Sequence, residues 1–232
     1  PQIFTLSITT RSQFHVTHVV NANAIYELPF GQGKKWLDSS GLSDYIFGGW
    51  QVSTIVAWQS GSPLSIYSGR GTFNRAGRSG CAGTGCNTAF STMSADEVKK
   101  LLGIYKQPDG RIYWIDPKVI DPNTGRAVSA DNATNAAGFS GQIFFNPVAG
   151  EVGNLEILTF DGPPQTRIDL AVSKRIRLVG RYRLELKGEA FNLLNRPSFY
   201  RGDMDINSTT FGRITSVNVG SRVVQWSARF EF

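Results

Sequence analysis

The last ten residues, Val223-Val224-Gln225-Trp226-Ser227-Ala228-Arg229-Phe230-Glu231-Phe232, alternate apolar and polar without a break. Successive side chains of a strand leave on opposite faces. Val224, Trp226, Ala228, Phe230 and Phe232 therefore share one side, and Val223, Gln225, Ser227, Arg229 and Glu231 the other. About ten alternating residues with aromatics on the apolar side make one crossing of a membrane by a β-barrel strand. The same pattern also suits a half-buried edge strand of a soluble β-domain.

Five more stretches alternate in this way. The first, around Ile3 to Thr10, is the weakest. The second, from about Phe14 to Leu28, puts Val20, Ala22, Ala24 and Tyr26 opposite Asn21, Asn23 and Glu27. The third begins at Trp50, runs to about Gln59 and continues less regularly to Tyr67. Its apolar side holds Trp50, Val52, Thr54, Val56 and Trp58. Trp50 and Trp58 lie roughly 26 Å apart along a strand, close to the height of a barrel's lipid-facing band between its aromatic girdles. The fourth covers Arg167 to Lys174, with Ile168, Leu170 and Val172 opposed to Arg167, Asp169 and Ser173. A turn at Val179-Gly180-Arg181 leads to the fifth, Tyr182 to about Asn192. There Arg183, Glu185, Lys187 and Glu189 share a face opposite Leu184, Leu186, Gly188 and Ala190. Four charges on one face cannot enter a dry core. They face water, either outside a soluble sheet or inside a wet lumen, where cross-strand ion pairs would form a ladder.

Connections between these strands differ in length. A tight turn joins the fourth and fifth, whereas about a hundred residues separate the third from the fourth and about thirty the fifth from the sixth. Short periplasmic turns and long extracellular loops are the rule for outer-membrane barrels. With Phe232 in the periplasm, the Val179-Gly180 turn is periplasmic and the segment 68–165 is a long extracellular loop. The link from Pro29 to Gly49 falls on the periplasmic side and is unusually long, with a helical turn expected near Leu42 to Phe47. Within 68–165, Ser94-Ala95-Asp96-Glu97 reads as a capping box that opens a helix ending at Gly103. Ile112-Tyr113-Trp114-Ile115 and Gln142-Ile143-Phe144-Phe145 read as short strands. A loop with structure of its own is a functional candidate.

Composition narrows the rest. Hydrophobic residues make up 41 % of 232, and no run approaches the ~18 consecutive apolar residues of a transmembrane helix. The net charge of +6 invites a nucleic-acid reading, but the basic residues are scattered among acids, and no partnership with nucleic acid is expected. Cys81 and Cys86 are the only cysteines and cannot by themselves build a tetrahedral zinc site. A local disulfide in an oxidising compartment, worth roughly 2 kcal/mol, fits them better than two free thiols. His15 and His18 would face opposite sides of a strand, so they do not form a metal pair. Neither lies in a nucleophile motif. Gly69-Arg70-Gly71 and Gly31-Gln32-Gly33-Lys34-Lys35 lack the spacing of nucleotide loops. No enzyme, cofactor or metal site is expected. The chain opens on Pro1-Gln2-Ile3 without an initiator methionine, which suggests a piece of something longer.

Several segments, taken in order, resemble the C-terminal part of TonB-dependent outer-membrane receptors of the Oar-like group. They are Ala24-Ile25-Tyr26-Glu27-Leu28-Pro29-Phe30-Gly31, Gly48-Gly49-Trp50-Gln51-Val52-Ser53, Gln59-Ser60-Gly61-Ser62-Pro63 and Gly153-Asn154. The series continues through Asp169-Leu170-Ala171-Val172-Ser173-Lys174 and Glu189-Ala190-Phe191-Asn192-Leu193-Leu194-Asn195-Arg196-Pro197. Ser208-Thr209-Thr210-Phe211-Gly212-Arg213-Ile214-Thr215 and the terminal Ala228-Arg229-Phe230-Glu231-Phe232 complete it. The resemblance implies an all-β fold: about six C-terminal strands of an antiparallel transmembrane barrel of roughly 22 strands. Residues 1–232 would be the C-terminal part of that barrel. In the family a carboxypeptidase-regulatory-like domain, a plug and a coupling segment that contacts TonB precede it.

On this reading Arg183, Glu185, Lys187, Glu189, Arg229 and Glu231 face the lumen. Trp50, Trp58, Tyr182 and Trp226 form the lipid-facing girdle. Phe230 and Phe232 resemble the terminal signal recognised by the barrel-assembly machinery. The expected partners are outer-membrane lipid, the rest of the barrel, the plug and TonB. The implied function is uptake of a large solute across the bacterial outer membrane. Two alternatives stand beside it: a structural or adhesive surface protein that transports nothing, and a secreted β-sandwich carbohydrate-binding module.

Overall fold

The computed structural model describes residues 11–38, 41–70, 87–129 and 138–232. They divide into two units: a strand unit of His18–Gln59, Gln165–Ser198 and Asn218–Phe232, and a loop unit of Pro1–Thr17, Ser60–Pro164 and Phe199–Val217.

The strand unit is one antiparallel five-stranded sheet. Its strands are β1 (Val19–Glu27), β2 (Trp50–Gln59), β3 (Gln165–Arg177), β4 (Arg183–Phe191) and β5 (Val223–Glu231). They pair in chain order, a meander in which each strand lies beside its neighbour in sequence. Register runs unbroken across all four pairings. Because the side-chain period is two, an unbroken register carries each strand's apolar set onto the same face. One row of that face is Tyr26, Val52, Val172, Gly188 and Trp226. The corresponding row on the opposite face is Glu27, Gln51, Ser173, Lys187 and Ser227.

The strand limits depart from the alternation. β1 starts at Val19 rather than near Phe14, because Val19 pairs with Gln59, the last residue of β2, and the preceding chain has no ladder to join. His15 instead closes a turn with Ser12. β2 ends at Gln59 and does not continue to Tyr67; the residues after it belong to the loop unit. β3 extends to Arg177, past the expected end at Lys174, since β4 offers partners as far as Arg183. The β3–β4 turn closes with Leu178 N–H donating to Tyr182 O, and Gly180 takes the left-handed φ of +70° that this turn needs. The stretch expected around Ile3 to Thr10 lies outside the described residues.

The loop unit is held by a hydrophobic core that includes Leu64, Ile66, Val98, Ile115, Phe144, Phe160, Ile206 and Phe211. The expected loop of 68–165 is its larger part, but the unit also begins earlier and takes in Phe199–Val217. The reason is packing: Leu64 and Ile66 come from before residue 68, and Met204, Ile206, Phe211 and Ile214 from beyond 165, and all are core. The Ser94–Glu97 capping box is present, with the Ser94 side chain accepting from Glu97 N–H and the Glu97 carboxylate from Ser94 N–H. The helix it opens, Ala95–Lys100, ends short of Gly103 because Leu102–Lys106 forms a hairpin strand with Ile112–Ile115. Gln107, Pro108, Asp109 and Gly110 make that turn, Gly110 at φ +83°.

Candidate functional site

The polar face of the sheet gathers the charged residues that alternation singles out. Arg183 lies opposite both Arg177 and Glu231, and Glu185 opposite both Arg175 and Arg229. Lys187 has Ser173 and Ser227 beside it, and Glu189 has Ala171 and Gln225. For Lys187 these neighbours decide the ion pairing. Lys187 meets no carboxylate across either ladder, so it pairs along its own strand with Glu189 at 2.6 Å. Glu189 also accepts from Gln225 Nε2 at 2.7 Å. Arg229, although Glu185 lies opposite it, turns to Glu231 on its own strand at 3.5 Å, and only Arg175–Glu185, at 3.7 Å, spans two strands among the described pairs of this face. The expected ladder of cross-strand pairs is thus mostly a set of pairs within strands.

At the end where β3 turns into β4, the polar face opens into a recess of about 530 Å³. Glu27, Lys34, Gln51, Arg175, Arg177 and Arg183 line it. Lys34 closes on Glu27 at 2.8 Å. Lys34 and three arginines against the carboxylates of Glu27 and Asp44 give this mouth a positive bias.

The apolar face carries the aromatics. Trp50 and Trp58 stand at the two ends of β2. Tyr182, just before β4, stacks on Phe230 at 5.8 Å between ring centroids, and Phe230 stacks in turn on Phe232 at 6.5 Å. Trp226 lies farther inward, in the row of Val172, with its ring across Gly188. A Cβ on Gly188 would sit 2.5 Å from that ring, so glycine is what lets the indole lie flat on the strand.

Two features escape periodicity. Asp169, buried on β3, accepts from Arg167 Nε at 2.7 Å and from the backbone N–H of Asn192 at 2.9 Å. Asn192 itself sits at φ +51°, a conformation asparagine tolerates better than most residues. Its side chain donates to the carbonyls of Arg196 and Gly220 and accepts from Arg196 N–H. This clamp ties the exit of β4 to the approach of β5. Only the Asn192-Leu193-Leu194-Asn195-Arg196-Pro197 string hinted at it. The second feature is Lys174, whose even spacing from Leu170 and Val172 puts a cation on the apolar face.

The loop unit has a recess of its own, about 320 Å³, lined by residues that include Leu64, Tyr67, Tyr200, Arg201, Asp203 and Thr215. Burial, followed by the nearby Asp203 and Asp205 carboxylates, pushes the Tyr67 hydroxyl above its ordinary value, so it stays a neutral donor. The Arg201 guanidinium lies 5.9 Å from the Tyr200 ring centroid. Cys81 and Cys86 lie outside the described residues. Among the described residues no cluster of three or more His, Cys, Asp or Glu is arranged to hold a metal, and no helix is long and apolar enough to cross a membrane.

A sheet that is apolar along one face and charged along the other, with no spanning helix among the described residues, is what a barrel wall requires. Comparison with protein families agrees: the profile described as "Outer membrane beta barrel domain" matches residues 6–225. The chain belongs to that family. Comparisons with curated proteins and with solved structures give no match. As an outer-membrane barrel domain, the chain is all-β and resides in the bacterial outer membrane.

Proposed function

We propose that this outer-membrane barrel domain is the C-terminal barrel portion of a TonB-dependent, Oar-like transporter that moves a large solute across the outer membrane. The observation that carries the reading is the five-strand wall. Its polar face is charged from Glu27 to Glu231, while β1 and β5 have no further partner strand among the described residues. Five strands are fewer than the roughly eight that close the smallest barrels. A wide barrel completed by further strands puts Arg183, Glu185, Lys187, Glu189, Arg229 and Glu231 on a wet lumen. It puts Trp50, Trp58, Tyr182 and Trp226 against lipid. With Phe232 in the periplasm, Phe230 and Phe232 serve recognition by the barrel-assembly machinery, and the loop unit is extracellular. A plug elsewhere in the polypeptide gates the lumen, and TonB supplies the work of displacing it.

A second reading is favoured by the loop unit, which has its own core and recess: a surface-binding barrel that transports nothing. Mass and N-terminal sequence of the polypeptide from detergent-solubilised outer membranes, with ligand retention by cells with and without TonB, separate the two. A chain several times longer with a plug and coupling segment, and TonB-dependent retention, fits the transporter. A mature chain starting near Pro1, or retention indifferent to TonB, sinks it.

A further inference from the structure

Lys174 leaves the sheet on the apolar face, in the row of Trp50 and Leu186, yet it is 92 % buried at 8 % exposure. Its Nζ donates to Ile46 O at 2.9 Å and to Gly48 O at 2.8 Å, and lies 4.8 Å from the Trp50 ring centroid. These carbonyls belong to the end of a short helix, α1 (Leu42–Phe47), and Trp50 Nε1 donates to the same Ile46 O. An ammonium has three protons and a full charge. Two carbonyls and an indole face supply partial charges only. No carboxylate comes within ion-pair distance of Lys174 among the described residues; Asp44, the acid of α1, acts on it only at longer range and spends an oxygen on Gln32 N–H at 2.8 Å. A buried cation with no carboxylate in direct contact is incompletely compensated, and an anion at the site would relieve it.

The surroundings say what kind of anion. From Lys174 an apolar trough of about 780 Å³ runs between Trp50 and Trp226, floored by Leu170, Val172, Gly188 and Ala190. Its floor is the apolar face of an outer-membrane barrel, so the trough is continuous with the surface that meets lipid. Beside it α1 leaves Leu42, Ile46 and Phe47 exposed, although its C-terminus is tied to this same face.

We propose that this is a phospholipid site: an acyl chain lies in the trough, and the headgroup phosphate takes the third proton of Lys174. Leu42, Ile46 and Phe47 dip into the interfacial layer of the same leaflet. The negative charge of the phosphodiester completes the site, and the Pro29–Gly49 link acts as a membrane-surface anchor. The site requires only that the apolar face meet lipid; it is independent of transport.

The test is native mass spectrometry of the full-length protein released from detergent after loading with phosphatidylglycerol, with diacylglycerol of the same chains, or with inorganic phosphate. Phosphatidylglycerol should be retained about ten-fold more than diacylglycerol, the scale of one hydrogen bond to a charged group. Lys174→Met should bring it down to the diacylglycerol level. Equal retention of the two lipids by the unaltered protein overturns the proposal, as does unchanged retention by a folded Lys174→Met barrel. Displacement by inorganic phosphate also overturns it, marking a free-anion site instead. Should Lys174→Met fail to assemble, the ratio measured on the unaltered protein decides alone.

Discussion

Trp226 and Phe144 are both large aromatics in strands, yet Trp226 is 82 % exposed and Phe144 0 %. The first belongs to a wall whose apolar side finds its solvent outside the protein; the second belongs to a unit that must make its own. The wall buries little, because half of its side chains are meant for lipid and half for water. The loop unit follows the rules of a soluble domain: residues distant in sequence converge on one core, and several polar side chains buried with it bond to one another. Ser68, Asn146 and Asn207, for instance, bond to one another at 2.6 to 3.3 Å. One chain thus obeys two solvents, and a substitution should register in the region whose solvent it offends.

The largest effect is expected in the loop unit. Phe160→Ala opens a cavity in a fully buried site and should cost about 3–5 kcal/mol. Limited proteolysis should then cleave within 60–164 while the barrel keeps its heat-modifiable gel mobility. Collapse of the barrel as well would show that the two regions are not independent. Next comes the wall. Leu170→Arg places a charge on the apolar face and should cost about 2–4 kcal/mol in a bilayer, read by urea unfolding in vesicles. Asn21→Arg, on the opposite face of β1, should stay within about 0.5 kcal/mol. Equal effects from the two would erase the distinction between the faces.

A smaller effect belongs to the capping box. Ser94→Ala removes an acceptor for Glu97 N–H and should cost about 1 kcal/mol, seen as faster amide exchange confined to Ala95–Lys100. The smallest is a pH effect. The Asn123 N–H, helped by the Thr124 hydroxyl, holds the Asp121 carboxyl below its ordinary value, against the opposing effect of burial. The folded form therefore favours the ionised acid. Its contribution is complete above the ordinary carboxylate range and fades as pH falls through the lowered value. Exchange protection around 121–126 should drop in acid, and Asp121→Asn should flatten that dependence. A wild-type segment indifferent to acid would remove the inference.

Much of the wall was legible because a strand's two faces are a local property. The alternation of Val223 to Phe232, and of Arg183 to Glu189 against Leu184 to Ala190, needs no knowledge of neighbours. The turn at Gly180 and the capping box at Ser94 are equally local. The ion pairs were not legible, since Lys187 chooses Glu189 only because its cross-strand neighbours are serines. Nor was the reach of the loop unit, whose core joins Leu64 to Phe211 across a strand-forming stretch of chain.

The sequence by itself determined that this chain makes strands with one apolar and one charged face, a pattern that fits a membrane wall and a soluble sheet alike. Tertiary structure alone decided which residues meet. It made Asp169 and Asn192 a clamp rather than wall lining, and it brought the carbonyls of α1 to a lysine more than a hundred residues away. Periodicity records which solvent a side chain prefers. Contacts between distant segments depend on register and closure, which no short stretch of sequence carries.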